Sequence, residues 1–241
     1  NCRRHSRPVY IELPRDMVST PCATTPTTEP AGPDPDALAA CVDEILGRLA
    51  AATAPVLMVG VEVRRFGLEA KAAELARRLA LPVVTSFMGR GLLAAANAPL
   101  MGTYLGIAGA PDVTTAVESS DGLFLLGVII SDTNFGVSDK KIDLRKTIQA
   151  LDRRVTMGYH TYDAIGLESL VDALLARTVP SDRHFDVKKQ DYPFDLPDDD
   201  APLMPLDIAT AVNDLMRDKG RMPIASDIGD CLFTAMDMAN T

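Results

Sequence analysis

The sequence predicts an α/β fold: a parallel sheet with helices on both faces, flanked by two partial α/β pieces. Three observations predict it. Apolar runs bounded by turn residues, as at residues 56–61 and 122–130, alternate with stretches of helical period. Aromatic residues make up only 5% of the chain and Trp is absent, while Ala and Leu abound, which favours helix-rich α/β over an all-β sandwich. Two Pro-rich stretches, residues 19–35 and 181–204, divide a complete middle segment from shorter ends.

In chain order, residues 9–13 (Val-Tyr-Ile-Glu-Leu) read as a strand, the last of a domain already under way at Asn1. Residues 19–35 are rich in Pro, Thr and Ala and read as an extended linker. Leu38, Val42, Ile45, Leu46 and Leu49 recur at helical spacing behind Pro35 and Asp36, which suit a helix start. Residues 56–61 form a continuous apolar run, as a buried parallel strand does. Leu68, Ala72, Leu75, Ala76 and Leu79 predict a second amphipathic helix, and residues 81–85 a short strand. Pro111 opens a helix through Val113, Ala116 and Val117. Residues 122–130 predict the most apolar strand, followed by strand pieces at 148–151 and 153–157. Leu167, Leu170, Val171, Leu174 and Leu175 predict a closing helix. After the linker at 181–204, Ile208, Val212, Leu215 and Met216 predict a helix over 206–219 ended by Gly220, then a terminal strand over 223–226.

The net charge of −9 argues against nucleic acid and against anionic membrane surfaces, both of which ask for a Lys/Arg surplus. Cys2, Cys22, Cys41 and Cys231 show no metal spacing and read as reduced thiols of a cytoplasmic protein. No apolar run approaches the roughly 20 residues that cross a bilayer.

Three loops carry candidate chemistry. Val59-Gly-Val-Glu-Val-Arg-Arg-Phe-Gly67 is a strand-turn-helix junction of the kind that cradles phosphate, but it lacks GxGxxG and Glu62 would repel an anion, so a structural turn is the better reading. Phe87-Met-Gly-Arg-Gly-Leu92, with Gly102, Gly106 and Gly109, suits close backbone approach either to a ligand or to a neighbouring element. Ile130-Ser-Asp-Thr-Asn-Phe-Gly136 sits where open sheets place ligands, yet consists of ordinary turn formers. His5, His160 and His184 are too scattered for a metal triad, and a lone His160 reads as structural.

Taken in order, these pieces resemble the thiamine diphosphate-dependent 2-keto acid decarboxylases. The segments that carry the likeness are Arg7-Pro-Val-Tyr-Ile-Glu-Leu-Pro-Arg-Asp-Met-Val18, Ala54-Pro-Val-Leu-Met-Val-Gly60, Phe87-Met-Gly-Arg-Gly-Leu-Leu93, Met101-Gly-Thr-Tyr-Leu-Gly106, Leu126-Gly-Val-Ile-Ile-Ser-Asp-Thr-Asn-Phe-Gly136 and Ala225-Ser-Asp-Ile-Gly-Asp-Cys-Leu-Phe233. Residues 227–238 are most similar to the bacterial indole-3-pyruvate/phenylpyruvate decarboxylase branch. The resemblance implies a Rossmann-like central domain at 36–180. It implies that residues 1–18 end an N-terminal pyrimidine-binding domain and that 205–241 begin a pyrophosphate-binding domain, with linkers at 19–35 and 181–204.

It further implies thiamine diphosphate and Mg²⁺ as cofactors, a small 2-keto acid as substrate, and a homotetramer built as a dimer of dimers. The activating Glu is then expected before Asn1 and the Mg²⁺ motif after Thr241, so the chain alone is expected to be inactive. The central domain is expected to be a scaffold for subunit contacts, without FAD. Only Asp227, Ile228, Gly229, Asp230 and Cys231 map to cofactor-proximal positions. Where pyruvate decarboxylases carry Thr and acetolactate synthases Gln, this chain has Asp230. A carboxylate facing a diphosphate would be repelled by about 4 kcal/mol at 4 Å and an effective dielectric of 20, so Asp230 is expected to face the thiazolium or substrate side, or to bond a hydroxyl. The alternatives are the pyruvate decarboxylase, benzoylformate decarboxylase or acetolactate synthase branches, or a non-catalytic ligand-binding or interaction module.

Overall fold

The computed structural model describes residues 2–26, 31–135, 141–185, 191–227 and 229–239. The chain forms two compact units, Asn1–Val187 and Lys188–Thr241. The first contains α1 (Cys2–His5), α2 (Pro35–Ala51), β1 (Pro55–Val59), α3 (Val61–Arg65), α4 (Glu69–Leu79), β2 (Val83–Ser86), β3 (Leu100–Tyr104), α5 (Pro111–Glu118), β4 (Gly122–Leu126), α6 (Asp132–Phe135), β5 (Ile148–Leu151), β6 (Arg154–Met157), β7 (His160–Asp163) and α7 (Leu167–Arg177). The second contains α8 (Pro205–Lys219) and α9 (Asp230–Thr234).

The strands form one sheet in the order β3-β2-β1-β4-β5-β6-β7. The first five strands by chain order pair in parallel, whereas β6 runs antiparallel to both β5 and β7. The sheet is therefore mostly parallel and not wholly so. The reason is local: only Asp152 and Arg153 join β5 to β6, and a two-residue link can return the chain only antiparallel. Both residues sit at positive φ, 52° and 62°, the conformation such a hairpin turn requires.

The two faces of the sheet are legible in the alternation along β1 and β4. Leu57, Val59, Phe124 and Leu126 join a core with Cys41, Val42 and Ile45 of α2, Ala72 and Leu75 of α4, and Leu170 and Leu174 of α7. Val56, Met58, Leu123 and Leu125 join the opposite core with Val113 and Val117 of α5. Helix α2 starts where Asp34 accepts hydrogen bonds from the Asp36 and Ala37 amides at 2.8 and 3.0 Å, with Pro35 in the first turn. Its last carbonyls, on Leu49, Ala50 and Ala52, accept from the Arg183 guanidinium at 2.8–2.9 Å.

Two expected strands are absent. Residues 9–13 form no strand: Tyr10 and Ile11 are 87% and 82% exposed, and no described segment pairs with them. A strand needs a partner for its backbone groups, and alternation alone does not supply one. Residues 223–226 are likewise not a strand, for the same reason. Two strands go unannounced by the sequence. In β3, Val83 pairs with Leu100 but Val84 with Gly102, so Met101 bulges and the glycine at φ 155° sits inside a strand. In β7 the residues are His-Thr-Tyr-Asp, an edge strand without an apolar run.

In the second unit, Ala209, Met216, Ala235 and Met238 form a small core beneath α8. Asn213 is fully buried and ties it together: its amide donates to the Pro193 and Asp237 carbonyls at 2.8 Å each and accepts from the Ala239 amide at 2.6 Å. No helix among the described residues is long and apolar enough to cross a membrane.

Candidate functional site

Open α/β sheets place ligands beyond the carboxyl ends of the strands, at the point where strand order reverses. Here that point lies between β1 and β4. The two strands leave the sheet at Gly60 and Gly127. A Cβ built on Gly60 would lie 2.2 Å from the Gly127 carbonyl oxygen, so only backbone fits between the two exits. The Gly127 carbonyl then accepts from the Glu62 amide at 3.1 Å. Glu62 itself is 1% exposed. Its carboxylate accepts from the Asp152 amide at 2.9 Å and from the Arg7 guanidinium at 3.1 Å, with Arg65 Nη1 at 3.6 Å. The Val59–Gly67 junction is thus a structural turn filled by the chain's own ion pair.

The Asp152 carboxylate lies 2.7 Å from His5 Nδ1 and accepts from Arg7 at 3.4 Å. The hydrogen bond from His5 holds its carboxyl below the usual range, burial opposes this, and the Arg7 charge adds to the lowering.

The other two loops are also occupied structurally. A Cβ on Gly89 would meet Leu92 at 2.8 Å and the Val59 carbonyl at 2.9 Å, so this glycine serves close packing against a neighbouring element. Thr114 donates to the Gly106 carbonyl at 2.7 Å and anchors α5. Asn134 is fully buried, accepts from the Met88 amide at 2.9 Å and donates to the Ile129 carbonyl at 2.7 Å. It joins the exits of β2 and β4. Gly136 lies outside the described residues.

One polar cluster escaped sequence reasoning. Glu44 on α2 accepts from Arg48 at 2.9 and 3.0 Å and from the Tyr162 hydroxyl at 2.9 Å, and lies 3.0 Å from His160 Nδ1. Burial pushes its carboxyl up, but the hydrogen bonds from His160, Tyr162 and Arg48 outweigh this and hold it below the ordinary range. The signal could only have been found by knowing that β7 lies beside α2, since Glu44 and His160 are 116 residues apart. His160 is therefore a partner of a surface carboxylate. Among the described residues no group of His, Cys, Asp or Glu could hold a metal ion.

The cofactor-proximal residues expected from the sequence lie in the second unit. Asp227, Gly229, Asp230 and Cys231 are all exposed, and Ile228 lies outside the described residues. Gly229 adopts φ 105°, a conformation that side chains resist, and nothing lies within 4 Å of where its Cβ would be. Asp230 opens α9 immediately after it. The turn thus presents open space beside the Gly229 Cα, two exposed carboxylates and a thiol, with no cationic side chain of its own. That set of groups suits a cationic ring or a hydroxyl and does not suit a diphosphate.

The family described as "Thiamine pyrophosphate enzyme, central domain" matches residues 42–177. The chain is 60% identical, over 98% of its length, to an indole-3-pyruvate decarboxylase of Azospirillum brasilense, of which it spans 44%. It is 26% identical over 70% of its length to a pyruvate decarboxylase of Candida glabrata, spanning 31% of that protein. It is 30% identical over 73% of its length to one of Aspergillus terreus, spanning 32%. The chain therefore spans less than half the length of these curated relatives. The β1–β4 sheet, its helical layers and the matched residues agree, and the chain belongs to the thiamine pyrophosphate enzyme family, with residues 42–177 as its central domain.

Proposed function

We propose that this chain is the central part of a non-oxidative 2-keto acid decarboxylase that converts indole-3-pyruvate or phenylpyruvate to the aldehyde and CO₂. The single observation that carries this reading is the 60% identity to the Azospirillum protein, sustained over 98% of the chain. The pyruvate decarboxylases are less similar, at 26% and 30%. The parent protein would work in the cytoplasm as a homotetramer, with thiamine diphosphate and Mg²⁺. Its division would be residues 1–18 ending a pyrimidine-binding domain, 36–180 as the central scaffold and 205–241 beginning a pyrophosphate-binding domain, with linkers at 19–35 and 181–204.

The cofactor supplies an ylid and an electron sink when bound. This chain's part is to shape one wall of the site with Asp227, Ile228, Gly229, Asp230 and Cys231. The open space at Gly229 lets a ligand approach the backbone, and the Asp230 carboxylate accepts a hydrogen bond or stabilises positive charge. Diphosphate and Mg²⁺ would be held by groups outside this turn. The central domain would not bind a nucleotide, because its first strand-turn-helix junction lacks the GxGxxG pattern and carries the Glu62 carboxylate, which Arg7 already pairs.

Substituting Asp230→Thr in the intact protein tests the assignment of the turn. At least a tenfold change in thiamine diphosphate affinity or in turnover is expected; both unchanged would remove Asp230 from the site. Comparing turnover of indole-3-pyruvate, phenylpyruvate and pyruvate separates the two decarboxylase branches.

A further inference from the structure

The carboxyl-end edge of the sheet is bridged by a segment that is distant in sequence. His5, Ser6 and Arg7 join residues that follow β1, Glu62 and Arg65, to Asp152, which follows β5. Ser6 donates from Oγ to the Arg65 carbonyl at 3.1 Å, His5 contacts Asp152, and Arg7 spans both Glu62 and Asp152. The burial of Glu62 makes Arg7 consequential. At 1% exposure its carboxylate needs cationic and hydrogen-bonding partners. Arg65 Nη1 is buried, lies 3.6 Å away and makes no hydrogen bond among the described residues. Arg7 therefore supplies the guanidinium hydrogen bond, and its own side chain is 41% exposed, so it can leave to solvent where Glu62 cannot.

The same contacts hold strained backbone. Asp152 and Arg153 turn from β5 to β6 at positive φ with no glycine to relieve them, and Ser6 adopts φ 46°. The Asp152 amide is bound by Glu62, and its carboxylate by His5 and Arg7. Beyond Arg7 the chain runs exposed, with Val9, Tyr10, Ile11 and Leu13 all more than half in solvent.

We propose that residues 5–7 are a releasable strap: docked, they seal the ligand edge of the sheet and hold the Asp152-Arg153 turn; released, they free that turn while the sheet beneath stays intact. Movement of the chain that leads into this domain is thereby coupled to one local hairpin. The inference concerns the contact of residues 5–7 with the sheet domain in the first unit and stands whatever the parent protein catalyses.

Hydrogen exchange on the intact protein tests it, in the wild type and in Arg7→Met, which keeps the aliphatic stem and removes the guanidinium. Exchange of the Asp152 amide is expected to quicken at least tenfold, with Leu57 and Phe124 amides in β1 and β4 unchanged. Exchange at Asp152 within twofold of wild type would overturn the strap. If Arg7→Met quickens exchange throughout the sheet, His5→Ala decides. It removes the imidazole from Asp152 and leaves the buried Glu62 paired with Arg7. Quickening confined to the turn then supports the strap, and its absence overturns it.

Discussion

Gly60 and Gly127 meet backbone to backbone: a Cβ on Gly60 would stand 2.2 Å from the Gly127 carbonyl oxygen and 2.4 Å from the Val128 Cα. This contact sets the separation of β1 and β4 at the edge where ligands of open sheets lie. Both obstructing atoms are main chain, so no side-chain rotation relieves the clash. Gly60→Ala should cost about 3 kcal/mol, at the upper end for overpacking, and lower the melting temperature by roughly 10 °C for a domain of this size. Gly47→Ala is the control. It lies exposed in α2 with nothing within 4 Å of the added methyl, and should raise stability by about 0.5–1 kcal/mol. Thermal unfolding of the two variants in parallel checks both signs.

Asp121 ties the starts of the same two strands. Its carboxylate accepts from the Thr53 and Ala54 amides at 2.8 Å each. Those backbone hydrogen bonds, that from Thr53 foremost, hold its carboxyl below the usual range. Asp121→Ala leaves two amides to water and should cost about 1–2 kcal/mol, read as a lower urea midpoint with an unchanged slope.

Acid should weaken the fold in a defined window. Glu44 and Asp152 have carboxyl pKa values lowered in the folded state. The unfolded chain therefore binds more protons than the folded one near the ordinary carboxylate range, and stability rises with pH there. Their contribution is fully present above the unfolded pKa, near 4, and is lost as pH falls through the lower folded values. Urea midpoints should be level from about pH 7 to 5 and drop below about pH 4. In Glu44→Gln the drop should be shallower. An equal drop in the variant would show that Glu44 does not contribute.

Cysteine chemistry separates buried from exposed thiols. Cys41 is fully buried in the α2 core, and burial, with the nearby Glu44 charge, pushes its pKa up to about 12. Cys2, Cys22 and Cys231 are exposed. A maleimide at pH 7.5 should label these in minutes and Cys41 only after unfolding, as mass spectrometry of the peptides would report. Labelling of Cys41 at the same rate would contradict its burial.

Much of the fold was legible because local signals agreed with packing. Helix α2 carried its own start at Pro35 and its apolar stripe, and β1 and β4 were continuous apolar runs, as strands buried on both faces are. What stayed hidden was hidden for physical reasons. Gly102 and the Met101 bulge disguised β3 as a loop, and β7 has no apolar pattern to betray it. Residues 9–13 alternated without a partner strand to receive them. Glu62 was recognised as unfit for an anion, but its neutralisation by Arg7 spans 55 residues and its bond to Asp152 spans 90, which no local pattern encodes. The cofactor assignment of the turn at Asp227–Cys231 rests on resemblance: a strand-to-turn pattern hints at a ligand edge, but the exposed carboxylates name no ligand.

The most direct measurement is CO₂ release from indole-3-pyruvate by the intact protein, stripped of thiamine diphosphate and Mg²⁺ and then resupplied with them. Activity that is lost on stripping and restored by both together is the result predicted here. No decarboxylation of indole-3-pyruvate, phenylpyruvate or pyruvate by the resupplied, folded protein would contradict the proposed activity.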